Sequence, residues 1–391
     1  MRKENMDQRD MTTITIIGGG PIGSYAALIL KRAGYDVTVI EAKDRIGLPV
    51  QCTGIVTYDI MQFKDLRKII HKSTINTTKE VIVHTHRNTI RFQLKKPNII
   101  LDRTLFDQMI ADEARDAGAA YEYSHKVMGI RGRSIEGMNR DGRFIREADI
   151  LIGADGPLSI VRKKVDPDAK IRFWTGVQVR AAYKNSNCIE FFPMVGTYGW
   201  IVPEGKAIAR IGIATIKRPS KVLSDLLISV GIRKEDILEH QGGLIPRYSP
   251  CLRLQRDNCY ILGDAAAQVK ATTGGGIVPG LLAAQALRDC IKDKKDFTKE
   301  WRRRHKKNML LHLMIRNTLD GLNDQEKEKL FGRIGAKGVR EIIERYDRES
   351  PMHYASRLLI KDPLLMMSGI GLLRYGLSGA FGSSKEKTKT F

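Results

Sequence analysis

Thr13-Ile14-Thr15-Ile16-Ile17-Gly18-Gly19-Gly20-Pro21-Ile22-Gly23 decides the fold. A β-branched run that stops at three glycines predicts a strand ending in a tight turn. Pro21 to Ala33 then has helical spacing and closes at Gly34. Asp36-Val37-Thr38-Val39-Ile40 supplies a second apolar strand ending in Glu41, so the first 41 residues form a βαβ unit, which requires a parallel sheet. Within Gly18-x-Gly20-x-x-Gly23, Gly18 makes the turn, Gly20 lets the backbone approach a pyrophosphate, and Gly23 lets helix pack on strand. The helix N-terminus offers free N–H groups, and Ile22 inside the motif joins the glycines as a candidate cofactor contact. Glu41, 18 residues after Gly23, can accept hydrogen bonds from a ribose. An acid there rather than a base argues for NAD or FAD and against NADP. A glycine-rich structural turn is the alternative reading.

Outward from this unit, Leu105 to Ala117 has a helix pattern closing at Gly118, and Ala148 to Ile152 is a buried strand entering Gly153-Ala154-Asp155-Gly156. Between about Lys170 and Ile216, alternating stretches such as Thr175 to Tyr183 and Ala207 to Ile213 predict antiparallel strands of a different layer. Tyr260-Ile261-Leu262 is another short strand, followed by Gly263-Asp264-Ala265-Ala266 and a helix through Leu281 to Ile291. Beyond Trp301 the chain reads as helical and basic, without internal repeats. The expected class is α/β: a Rossmann-like dinucleotide-binding domain over 1–75, 98–165 and 250–295, an inserted β-rich substrate domain over 76–97 and 166–249, and a helical C-terminal region over 296–391.

Composition narrows the function classes. With 391 residues and 42% hydrophobic content the chain supports a large core. Five cysteines at irregular spacing, with no CxxC and no Cys/His cluster, suggest neither a disulfide framework nor a metal site, and a reducing cytoplasm is the natural compartment. Met1 to Asp10 lacks the apolar core of a signal peptide and reads as a frayed leader. Leu364 to Phe381, the nearest approach to a spanning segment, is broken by Arg374 and several glycines. The net charge of +22 calls for an acidic environment, an anionic partner or a solubility device. From Ile291 onward 23 basic residues face 13 acidic ones, densest at Trp301-Arg302-Arg303-Arg304-His305-Lys306-Lys307. This tail either lays the protein peripherally on an anionic membrane surface, with Trp301 and the 364–381 stretch, or presents a solvated helix face. Nucleic acid is not the expected partner, because no recognised module accompanies the charge.

Gly153-Ala154-Asp155-Gly156 with Ser159 and Val161-Arg162, and Leu262-Gly263-Asp264-Ala265-Ala266 with Gly274-Gly275-Gly276-Ile277, resemble the paired late motifs of flavoproteins of the glutathione-reductase and hydroxybenzoate-hydroxylase type. That resemblance selects FAD. It implies that Asp264 serves the ribityl and pyrophosphate groups and that the helix opened by Gly276 and Ile277 faces the flavin O2, where a positive helix end stabilises the charge of the reduced ring. Arg103, before the second helix, matches the arginine such proteins hold near the cofactor; a surface arginine is the alternative.

Pro49-Val50-Gln51-Cys52-Thr53-Gly54, Tyr198-Gly199-Trp200-Ile201-Val202-Pro203 followed by Gly212, and the Asp264 to Gly276 segment further resemble the geranylgeranyl reductase family over about residues 13–290. The family's aromatic motif has Phe where Val202 stands and a glycine where Ala214 stands, and archaeal members carry one more residue between the Cys and its Gly. The resemblance implies FAD-dependent saturation of prenyl chains of lipids, and adds Cys52, Thr53, Gly54 and Val127 to the cofactor contacts. Hydride reaches an isolated alkene only if a proton reaches the other carbon nearly in step. Cys52, a weak acid, is the expected donor or gate, and Tyr198 and Trp200 the expected walls of an apolar tunnel; a small buried hydrophobe and plain core packing are the respective alternatives. The electron donor, ferredoxin or NAD(P)H, is left open.

Two other functions compete. A flavin monooxygenase or halogenase shares the fold, but halogenases show Trp-x-Trp-x-Ile-Pro where Tyr198 begins the motif here. A membrane-associated electron carrier would use the basic tail for a partner and show no turnover.

Overall fold

The computed structural model describes residues 12–346, 349 and 351–362. The leader before Thr12 and the apolar stretch 364–381 therefore lie outside the described residues.

One sheet carries the nucleotide-binding motif. Its order is β16 (Gln255–Arg256), β17 (Cys259–Ile261), β10 (Ile150–Gly153), β1 (Thr13–Ile17), β2 (Asp36–Ile40) and β6 (Ala120–Glu122). All neighbours run parallel except β16 and β17. Ile14, Ile16 and Ile17 are buried, as a strand covered on both faces demands. Helices α1 (Pro21–Arg32), α3 (Arg103–Asp116) and α6 (Ile277–Asp293) pack together beside it, with Tyr25, Leu28 and Ile110 in their shared core. The short α2 (Arg67–Ser73) leans on α3, and α4 (Ile160–Val165) follows β10.

A second sheet has eight strands in the order β15 (Ile237–Pro246), β11 (Phe173–Ala182), β14 (Ile208–Thr215), β13 (Tyr198–Pro203), β12 (Ile189–Phe192), β4 (Thr74–His84), β5 (Thr89–Leu101) and β3 (Ile55–Val56). Only β12 and β4 pair in parallel. One face of β11, β14 and β13 is sealed by α5 (Pro219–Ser229) through Leu223, Leu226 and Leu227, which leaves the opposite face for a site. A three-stranded sheet, β7 (Lys126–Arg131), β8 (Ser134–Asn139) and β9 (Gly142–Glu147), has no counterpart in the sequence reading. Its exposed strands carry Arg131, Arg143, Arg146 and Glu147, so hardly any apolar alternation marks them.

The last quarter forms α7 (Phe297–Gly321), α8 (Asp324–Ile334), α9 (Lys337–Arg345) and α10 (Met352–Lys361). Caps define the starts of two of them: Asp296 accepts from Lys299 N on α7, and Asn323 and Glu326 form a capping box on α8. Trp301, which one of the two readings of the basic tail laid on a membrane surface, is instead 2% exposed and lies tilted against His305 at 4.3 Å. The basic run is amphipathic: Arg303 and Arg304 point out and pair with Glu300, while Trp301, two positions before Arg303, turns into the core. Among the described residues no helix is long and apolar enough to cross a membrane.

Candidate functional site

A single cavity of about 860 Å³ joins the two sheets. It starts at Glu41, Lys43 and Val127, passes Gly18, Gly20 and Ile22, runs by Arg103 and Asp264 to Gly276 and Ile277, and reaches Cys52, Thr53, Tyr198 and Trp200.

The glycines of the first turn play distinct physical parts. Gly18 has φ +101°, and a Cβ there would stand 2.3 Å from the Ala154 carbonyl oxygen. At Gly23 it would stand 2.0 Å from the Gly18 oxygen, so this position is closed by packing. At Gly20 it would meet nothing within 4 Å, so the space is kept for something other than protein. Neither α1 nor α6 has a side-chain cap, so both present bare N–H groups at their starts. Glu41 accepts from Gly19 N at 2.7 Å and Lys43 N at 2.9 Å, and its remaining lone pairs are free for ribose hydroxyls. Ile22 packs where side chains at Gly263 and Gly280 would collide with it, which locks α1 to the late motif.

The two late motifs are bound to each other by a residue of the first. Arg162 is buried and donates to the Ala265 and Pro157 carbonyls at 3.0 and 2.6 Å. Ser159 caps α4, and Asp155 accepts from Ile160 N at 2.7 Å while its other oxygen is buried without a partner. Burial pushes the Asp264 carboxyl up to about 6, although the Arg103 charge pulls the other way. A carboxylate held this way is short of hydrogen-bond donors, which ribityl hydroxyls supply. The donor and acceptor set therefore fits FAD: bare helix starts for the pyrophosphate, Asp264 for the ribityl chain, Glu41 for the ribose.

Arg103 opens α3 and forks onto Asp107 at 3.0 and 2.8 Å. Burial opposes its charge, but Asp107 and the neighbouring Cys52 thiol outweigh burial and hold its pKa above the usual value. Cys52 is half-buried, and its Sγ accepts from Gly54 N at 3.3 Å. Gly54, with φ +74°, is pressed between the Leu101 carbonyl and Arg210, so it shapes the Cys52 loop and does not line the cavity. Tyr198 is 3% exposed, stacks on Phe191 at 5.5 Å and meets Trp200 at 5.7 Å; burial raises its phenol above the ordinary range. Gly212 makes room for the Trp200 ring, which a Cβ there would touch at 2.6 Å.

Sequence reasoning missed the polar frame beneath these groups. Gln178 Oε1 accepts from Thr53 Oγ1 at 3.0 Å and Trp200 Nε1 at 3.1 Å, while its Nε2 donates to Gln241 at 2.6 Å. Buried Arg210 donates to the Thr53 carbonyl at 2.6 Å and pairs with Glu204. Polar residues at inward positions of apolar strands were the available signal. Also unread was the apolar lobe at the far end of the cavity, lined by Val81, Phe92, Ile189, Phe191, Phe331 and Ile343. Helices α8 and α9 wall it off because Glu328 accepts from Thr85, Asn88 and Arg87 N in the β4–β5 turn and Glu344 accepts from Gln93 N.

Residues 11–181 match the family described as FAD binding domain. The chain is 27% identical to digeranylgeranylglycerophospholipid reductase 2 of Methanothermobacter thermautotrophicus, over 84% of this chain and 93% of that one. Its fold is that of a geranylgeranyl bacteriochlorophyll reductase-like protein from Thermoplasma acidophilum, with a TM-score of 0.77, 20% identity, and coverage of 93% and 100% of the two chains. It also resembles the flavin-dependent brominase Bmp2, with a TM-score of 0.67, 14% identity, and coverage of 90% and 100%. Reductase-like and halogenating proteins thus share this architecture, and the choice of chemistry rests on the site.

Proposed function

We propose that this FAD-dependent oxidoreductase, similar along most of its length to the digeranylgeranylglycerophospholipid reductases, saturates the carbon–carbon double bonds of geranylgeranyl chains on membrane lipids. The observation that carries the proposal is continuity: the apolar lobe opens into the same cavity as Cys52, Tyr198, Gly276 and Ile277. A prenyl chain needs a long apolar sleeve that reaches the redox centre.

FAD, when bound, supplies hydride from its N5. The chain's residues do the rest. Val81, Phe92, Ile189 and Phe331 exclude water from the prenyl chain, Tyr198 and Trp200 orient the alkene, and the Cys52 thiol holds the proton for the carbon that does not receive hydride. Arg103, forked onto Asp107, packs against the Cys52 loop at Gly54. The Gln178 frame holds Thr53 and Trp200, and with them the Cys52 loop, against the sheet. Since a lipid with two prenyl chains resides in a membrane, the reading also places the protein peripherally at that surface, where the outward basic face of α7 is available.

Anaerobic incubation of chemically reduced protein with a geranylgeranylated phospholipid tests the assignment. Stepwise gain of hydrogen pairs by mass spectrometry, with flavin reoxidised in proportion, is expected. An unchanged lipid overturns it, and so does rapid oxygen consumption coupled to hydroxylation or halogenation when the reduced protein is instead mixed with air. Flavin bleaching by reduced ferredoxin or by NAD(P)H identifies the donor.

A further inference from the structure

The sheet face that lines the cavity at Gly176 and Gly243 continues past it toward a cluster of arginines. Gly243 and Ile245 on β15, and Gly176 and Trp174 on β11, are paired positions along this face. The same alternation brings Arg247 and Arg172 to its end, about 13 Å beyond Gly243 at roughly 3.3 Å per residue. Arg247 N donates to the Arg172 carbonyl at 2.8 Å. The Arg247 guanidinium lies 5.2 Å over the Trp174 ring, donates to Asn317 Oδ1 at 2.8 Å and approaches Asp320 at 3.5 Å. From α7, Arg316 enters the same place: it is 3% exposed, pairs with Asp320 at 2.7 Å and donates to the Thr197 carbonyl at 3.3 Å.

The charges here do not balance. Two guanidiniums meet at Asp320, which among the described residues is the one carboxylate paired with Arg247 and Arg316, and the charge of exposed Arg172 adds to theirs. Arg316 Nε is buried without an acceptor, and so is Trp174 Nε1 under Arg247. Burial pulls the Arg247 pKa down; Asp320 restores part of it, while Arg172 and Arg316 push the same way as burial. Buried cations left short of partners are costly, and a native cluster of this kind calls for an anion. Access is open on one side, because Arg172 is exposed and the Asp320 side chain is 33% exposed.

We propose that Arg172, Arg247 and Arg316 form a binding site for a phosphate-type anion at the end of the sheet face that lines the flavin cavity. Guanidinium forks match phosphate oxygens in pairs, and the surplus positive charge exceeds what one carboxylate can neutralise. The phosphate comes either from the headgroup of a prenyl lipid or from free phosphate. The first source rests on the reductase reading and the second does not.

The test uses the FAD-loaded protein as wild type, Arg172→Ala and Arg247→Met. Arg172 is exposed, so its removal spares the fold, and the methionine keeps packing on Trp174. Thermal unfolding is followed against inorganic phosphate, with chloride at equal ionic strength as the reference. A saturable rise in the wild-type midpoint that both variants lose is expected. No saturable rise, or an equal rise in the variants, overturns the site. Turnover of a prenyl phosphate and of the matching prenyl alcohol then separates the sources. For a headgroup site, Arg172→Ala raises KM for the phosphate about tenfold or more, holds kcat within about twofold, and leaves the alcohol unchanged. KM unchanged for both, with phosphate protection lost, assigns the site to free phosphate. If neither substrate turns over, the reductase reading fails while the unfolding measurement still decides the anion site.

Discussion

The two ends of the cavity are built by opposite means. The cradle around Gly18, Gly20 and Gly23 comes from eleven consecutive residues whose turn, helix start and packing are local. The apolar lobe gathers Val81, Phe92, Ile189, Phe331 and Ile343 from strands and helices scattered over more than half the chain. A site for a cofactor with a fixed pyrophosphate suits a local motif, since a backbone turn supplies the N–H groups. A sleeve for a flexible hydrocarbon needs only apolar surface, which any element can provide and only packing can enclose.

The sharpest way to break this contrast lies within the cradle. Gly23→Val should cost more than about 3 kcal/mol and abolish flavin retention, because a Cβ there already stands 2.0 Å from the Gly18 oxygen. Gly20→Ala should fold within about 1 kcal/mol of wild type yet bind flavin more weakly. Denaturation with flavin absorbance reads both, and a Gly20→Ala protein that holds FAD as well as wild type would mean that the open space serves another purpose. Phe331→Ala, at a side chain only 7% exposed, should cost about 3 kcal/mol and raise KM for prenyl substrates while flavin content stays whole. Loss of flavin in step with stability would show that cradle and lobe are one cooperative unit.

At the junction, Cys52→Ala should lower kcat about 10²-fold with flavin content and melting midpoint unchanged, and Cys52→Ser should fall between. Equal turnover in all three proteins would leave Cys52 as a small side chain filling its loop.

The smallest effect is a difference in pH dependence. Burial raises Asp264 from 3.8 to about 6, so in flavin-free protein the folded state keeps a proton that the unfolded chain has released, and stability falls as pH rises through that window. Burial, with Lys270 adding to it, lowers His312 from 6.5 to about 4. Its contribution is fully present above pH 6.5 and lost as pH falls toward 4. Asp264→Asn and His312→Gln should therefore tilt stability against pH in opposite directions, each by at most about 1.4 kcal/mol per pH unit. Urea midpoints between pH 4 and 7 measure this, and parallel tilts would sink the burial assignment for one of the two.

Legibility followed the same division. Predicted helix and strand boundaries near Gly18, Asp102 and Gly276 fall within a residue or two of α1, α3 and α6, because caps, glycine turns and apolar periods act over a few neighbours. Trp301 misled because a tryptophan among arginines has the composition of a membrane anchor, and only the turn of α7 shows which way it faces. The Gln178 frame stayed hidden because partners 63 and 125 residues away in sequence, Gln241 and Thr53, give it meaning.

By itself the sequence determined a parallel nucleotide-binding sheet, FAD as the cofactor its motifs resemble, and which loop carries Cys52. The tertiary structure alone decided that a hydrophobic lobe opens onto that loop, that α8 and α9 close it, and that Arg247 and Arg316 meet at Asp320 beside Arg172. Backbone turns are set by short-range sterics and hydrogen bonds, whereas an enclosed surface or a charge imbalance exists only once distant segments exclude water between them.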